Sequence, residues 1–218
     1  MKQAGTLVVS GLFVATLLGV AVWLYPQLPA QAPIHWDADG QVNGWAPRFW
    51  AVAVPVLVLV ALAIMTPLLP RISPRKFEIK PFARVYGILM LTVQGFLVVV
   101  SICALLAAAG YDVPIPLVVS LCSGALFMVL GNYMGKLRKN FFVGIRTPWT
   151  LASDAVWERT HRLGGWLFVL AGLAWMGLGL AGAPGTWLIA VVLIAALVPC
   201  VYSYFIYRRL QGSRQLED

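Results

Sequence analysis

The sequence predicts an all-α fold, a polytopic membrane protein with six transmembrane helices and both termini cytoplasmic. Three observations carry that expectation. Of 218 residues, 61% are hydrophobic and only 11% are charged, whereas roughly a quarter of a soluble domain is charged. Six apolar stretches alternate with polar loops, each near the ~20 residues that cross a hydrocarbon layer of ~30 Å. Of the 16 Lys and Arg residues, all but Arg48 fall on one side of that alternation, which is the asymmetry that orients helices with their basic loops inside.

The first span runs from Gly5 to Tyr25, ends on the interfacial Trp23 and Tyr25, and is broken by Pro26. It is long enough to cross and no small-residue cleavage site closes it, so it reads as a retained helix rather than a signal peptide. The second runs from Trp50 to Leu69 and is expected to stop at Pro70. The third spans Val85 to Ala109, and a tight Gly110-Tyr111-Asp112 turn leads to the fourth, Pro114 to Met134. The fifth is placed from Gly164 to about Ala181, and a Gly/Pro turn around Pro184 leads to the sixth, about Trp187 to Tyr207. Pro55, Pro67 and Pro199 fall inside helices, where neighbouring helices in a membrane tolerate them. Residues 1–70 thus hold two spans and an external loop, 26–49. Residues 71–84 form a basic cytoplasmic loop, and 85–218 hold four spans and a cytoplasmic loop, 135–163. Lys2 and the basic tail share the cytoplasmic side.

The formal charge of +8 sits in these short loops and meets the lipid bilayer. No basic face with base-reading residues accompanies it, which excludes nucleic acid as a partner. Cys103, Cys122 and Cys200 all lie in apolar segments and read as packing residues. No cofactor is implied. A small transporter is disfavoured because these spans contain no Asp, Glu, Lys or Arg, and transport paths keep ionisable groups at depth. Gln94 is the polar side chain that stands out there, and it reads as an interhelical hydrogen bond.

Function should concentrate in the two long loops. In the external one, Pro29 and Pro33 favour an extended path, and Asp39-Gly40 and Asn43-Gly44 are turn dipeptides. His35, Asp37 and Asp39 alternate, so on a strand they would share one face and could hold a divalent metal. That pattern supports the alternative of a metal-dependent membrane hydrolase. Equally, the aspartates can close Asx turns and the histidine can bond locally. Trp36, Trp45 and Trp50 are suited to anchoring the loop at the lipid interface.

In the cytoplasmic loop, Gly131 and Gly135 form a small-xxx-small pair, and Asn132 sits near the inner interface. Ser153 is a candidate N-cap, with Asp154 in the first turn. Glu158 and Arg162 are spaced for an i,i+4 pair, and Gly164 or Gly165 is placed to end a short amphipathic helix lying on the inner surface. Val156, Trp157, Thr160 and Leu163 would share one side of it, with His161 stacked on Trp157. A catalytic His161 lacks any accompanying nucleophile pattern.

The string from Asn140 to Leu151, containing Gly144-Ile145-Arg146-Thr147-Pro148-Trp149-Thr150-Leu151 and followed by Trp157 and Thr160-His161, resembles the hallmark of the SdpI family of bacterial membrane proteins. The external stretch Leu28-Pro29 … Pro33-Ile34-His35-Trp36 … Gly40 … Trp45 resembles the domain of unknown function DUF1648, with Asp37 departing from its usual small polar residue or Asn. The resemblance implies the bacterial cytoplasmic (inner) membrane and immunity against a membrane-active peptide toxin. It also implies a possible cytoplasmic repressor as a second partner. By that reading His35, Trp36, Asp37, Asp39, Gly40 and Trp45 meet the toxin outside. Asn132, Asn140, Gly144, Arg146, Thr147, Pro148, Trp149, Trp157 and His161 form the family motif inside.

Overall fold

The computed structural model describes residues 3–37, 39–183 and 185–214. Lys2 and Pro184 lie outside them. Six helices are long and apolar enough to cross a membrane. They are α1 (Gln3–Leu24), α2 (Arg48–Ile72), α3 (Ala83–Ala108), α4 (Ile115–Met134), α6 (Asp154–Leu180) and α7 (Gly185–Arg214). A five-residue helix, α5 (Pro148–Ala152), precedes α6, and two strands, β1 (Gln31–Trp36) and β2 (Val42–Pro47), lie between α1 and α2.

Helices α1, α2 and α3 pack on one another, α3 packs on α4, and α6 joins α4 to α7. Their termini sort into two ends. At one, Tyr111 after α3 donates to Gln27 after α1 at 3.2 Å, and the hairpin lies there with Arg48. At the other, Phe77 meets Phe141 with ring centroids 4.0 Å apart, and Trp149 packs edge-on against Tyr204 of α7. The basic loops therefore gather at a single end of the bundle.

Three boundaries differ from expectation. Helix α7 runs past its expected end at Tyr207 to Arg214. Helix α2 continues through Pro70 to Ile72. Proline has no N–H, so the Thr66 carbonyl one turn back loses its helical donor. The Tyr86 hydroxyl supplies one, at 3.0 Å, and that replacement lets the helix run on. Nor does a separate helix lie along the inner surface. Ser153 caps α6 as its position suggested, accepting from the Val156 N–H, but the helix then continues through Gly164 and Gly165 into the fifth span. Val156, Trp157, Thr160 and His161 are buried against protein, so the stripe that suggested a surface helix is a packing face.

Gly164 and Gly165 are needed for contact rather than termination. A Cβ on Gly165 would stand 2.8 Å from the Gly131 carbonyl oxygen, and one on Gly131 would stand 2.6 Å from the Gly165 oxygen. One heptad further out, Gly124 and Gly172 repeat the relationship at 2.7 and 2.5 Å. Lipid tails are as apolar as leucine, so close van der Waals approach is what associates helices here. Gly135, the other half of the expected small-residue pair, has nothing within 4 Å and takes no part.

The polar side chain at depth is used as anticipated. Gln94, fully buried, donates through Nε2 to Thr66 Oγ1 at 2.9 Å, and Thr66 in turn donates to the Leu62 carbonyl. All three cysteines are free.

Candidate functional site

The loop 26–49, expected to be external, folds into a β-hairpin, which the all-α expectation did not contain. Its strands pair antiparallel, Gln31 opposite Pro47 and Ala32 opposite Ala46, with irregular register on either side of His35. Ala32 and Leu28 are buried in one cluster with Leu17, Ala21, Leu24, Ala51 and Leu105, which seats the hairpin on the outer ends of α1, α2 and α3. The tip crosses to the second half of the bundle, where a Cβ on Gly40 would meet Pro116 Cγ at 2.9 Å. Arg48 is held over the Tyr25 ring, 5.1 Å from its centroid.

This geometry separates the three candidate metal ligands. Asp37 lies beyond β1, and its carboxylate accepts from the Asp39 and Gln41 N–H groups at 3.0 and 2.8 Å. It closes the Asx turn that takes Gly40 to a φ of +81°. His35 instead donates from Nδ1 to Asn43 Oδ1 across the hairpin. Among the described residues no three His, Cys, Asp or Glu side chains converge, so the cluster on which the hydrolase alternative rested is not assembled. Asn43-Gly44 is not a turn either. Both residues lie in β2, and a Cβ on Gly44 would stand 2.9 Å from that of His35. Glycine here permits close strand approach. Ile34, Trp45, Phe49 and Trp50 are each about half exposed at this end, an apolar surface on top of the bundle.

At the opposite end the motif loop, expected to be cytoplasmic, forms a knot built around two buried side chains. Asn140, with no exposed surface, accepts through Oδ1 from the Phe142 and Val143 N–H groups, both at 2.8 Å. Its Nδ2 donates to the Arg138 and Val143 carbonyls at 2.8 and 3.0 Å. Four bonds thus wrap residues 138–143 around one amide. His161 pins the next stretch: Nε2 accepts from the Ile145 N–H at 2.9 Å, and Nδ1 donates to the Trp157 carbonyl at 2.8 Å. These partners fix one neutral tautomer and occupy both ring nitrogens, leaving none for proton transfer. Trp157 stacks on the imidazole at 3.9 Å, as the i,i+4 spacing suggested, and its indole N–H donates to the Leu137 carbonyl at 2.8 Å.

Gly144 passes over that ring with φ +104°, and a Cβ there would lie 2.4 Å from His161 Nε2. Arg146 is exposed and folds back to donate to the Phe141 carbonyl. Thr147 then caps α5, whose first residue is Pro148, in a reciprocal box with Thr150. Thr147 also reaches Ser203 Oγ on α7 at 3.0 Å, tying the knot to the last helix. On the rim of the knot, half-buried Lys139 and exposed Arg138 meet exposed Asp154 and Glu158 at 2.7 and 3.6 Å. Glu158 therefore pairs with the loop, not with Arg162 one turn on.

The motif residues Asn140, Gly144, Thr147, Trp157 and His161 converge, while Asn132 lies apart, exposed on the last turns of α4. Thr150, fully buried and bonded to the Ile145 and Thr147 carbonyls, is as central as any of them. Its Thr-x-x-Thr spacing from Thr147 was the signal for it. Ser203 carries no comparable signal.

A helical, multi-pass membrane protein with a hairpin at one end and a hydrogen-bonded knot at the other is the class these features define. Residues 136–203 match the model of the SdpI/YfhL protein family, and residues 12–60 match that of the domain of unknown function DUF1648. The chain thus carries a region similar to the SdpI/YfhL family and, before it, one similar to DUF1648. It is 27% identical over 212 residues to the immunity protein SdpI of Bacillus subtilis (strain 168), covering 95% of this chain and 98% of that one. No solved structure shows significant similarity to it.

Proposed function

We propose that the protein confers immunity on a bacterial cell against a membrane-active peptide toxin, from the cytoplasmic membrane, and that the toxin is met at the hairpin end. The observation that carries this reading is similarity to a protein named as an immunity protein along nearly the full length of both chains. Charge asymmetry supports the orientation, with the basic loops inside and the hairpin outside. The half-exposed Ile34, Trp45, Phe49 and Trp50 offer an apolar surface where a peptide entering the outer leaflet would arrive. A cytoplasmic regulator, the second partner in this reading, would face the basic rim formed by residues 71–84 and 135–147.

The test is survival of a sensitive bacterium expressing the protein or an empty vector, challenged with a panel of membrane-active peptides. The expected result is that expression raises the lethal concentration of at least one peptide several-fold. Identical killing curves for every peptide, at verified membrane expression, would refute immunity against that panel's chemistry.

A further inference from the structure

Two cavities meet on the first half of the bundle, at its basic end. One, of about 420 Å³, is entered between α1, α2 and α3 and is lined by Thr6, Arg71, Ser73, Glu78 and Lys80 above Tyr86. The other, of about 490 Å³, runs along the groove between α1 and α2, past Val14, Val60, Ile64 and Leu68. Leu7, Pro67 and Arg71 line both, so a charged recess opens directly into an open apolar groove between α1 and α2. Gly11, with nothing within 4 Å of its Cβ position, keeps the groove wall low.

We propose that this composite cavity is a binding site for one phospholipid of the leaflet at the basic end, with a phosphatidylglycerol-type headgroup. The phosphate is held by Arg71 and Lys80, neither of which is ion-paired to a carboxylate among the described residues, where the pairs are Arg138 with Glu158 and Lys139 with Asp154. A guanidinium and an ammonium lining one recess suit a phosphate oxygen set. Glu78, lining the same recess, accepts from headgroup hydroxyls. Two cations and one carboxylate leave the recess one positive charge, which a monoanionic lipid neutralises. A serine headgroup would bring a second carboxylate against Glu78, and ethanolamine would leave the charge uncompensated. One acyl chain lies in the groove between Val14 and Ile64.

Retention of lipid by the purified full-length protein in detergent, read by native mass spectrometry, tests the assignment. Phosphatidylglycerol is expected to be retained at least threefold better than phosphatidylethanolamine or phosphatidylserine, and glycerol phosphate alone should not displace it. Arg71→Gln and Lys80→Gln should each lower retention at least threefold, while Arg75→Gln, outside the recess, leaves it unchanged. Ala63→Leu, which narrows the groove without touching charge, should lower it too, and Glu78→Gln should raise retention of phosphatidylserine. Equal retention of all three lipids would overturn the proposal. So would an equal loss in Arg75→Gln, which would make the effect one of general surface charge. Displacement by glycerol phosphate would reduce the site to a phosphate pocket and overturn the acyl-chain half of it.

Discussion

At the scale of single residues, the knot depends on groups that have one use each. Gly144 is the clearest. Its φ of +104° and the 2.4 Å approach of His161 to its Cβ position exclude any side chain. Gly144→Ala is therefore expected to lower stability by about 1–3 kcal/mol through backbone strain and a displaced histidine. Gly135→Ala, in open space with an ordinary helical conformation, should be neutral. Thermal unfolding of the two variants in the same detergent checks the pair, and equal midpoints would contradict it. Tyr86 carries a similar obligation across helices. Tyr86→Phe strands the Thr66 carbonyl that Pro70 has already deprived of its helical donor, at a cost of about 1–3 kcal/mol for an unsatisfied buried acceptor. An unchanged unfolding midpoint would show that the carbonyl finds another donor.

At the scale of elements, α5 and the loop before it join α7 to the rest through Thr147–Ser203 and Trp149–Tyr204. Arg146→Ala and Trp149→Ala should reduce protection, or the amount of folded protein in the membrane, more than Arg75→Ala, whose side chain stands exposed in its loop. Equal expression and equal protection by all three variants would contradict that ranking. The helices themselves were legible because length and hydropathy decide crossing, and lipid forces backbone satisfaction within each segment. What was not legible depended on tertiary partners. Pro70 reads as a stop until Tyr86 is seen to replace the missing donor. Gly164 and Gly165 read as terminators until α4 is seen against them. The hairpin hid behind Pro33 and a Gly44 that looks like a turn residue in sequence. The motif was recognisable as a string, but only the fold shows that Asn140 and His161 serve as backbone clamps.

At the scale of the whole molecule, the proposed orientation rests on one-sided charge, and a hairpin bridging both halves of the bundle lies at the end opposite the basic loops. Single cysteines placed at Gln41 in the hairpin and at Lys76 in the basic loop, with the native thiols within spans as background, report that orientation. Gln41→Cys should react with a membrane-impermeant maleimide on intact cells, and Lys76→Cys only after permeabilisation. The reverse pattern would invert the topology and remove the hairpin from any toxin arriving from outside.

The most direct test of the central claim, that the hairpin is where a toxin is met, compares killing curves for wild type, Trp45→Ala and His35→Ala. All three would be expressed at matched membrane levels and challenged with a peptide against which the wild type protects. Trp45 is largely exposed, and among the described residues His35 bonds to Asn43 within the hairpin, so neither change should unfold the bundle. The expected result is that both variants lose most of the protection. Full protection by both, at matched levels, would contradict the claim and move the contact surface elsewhere on the molecule.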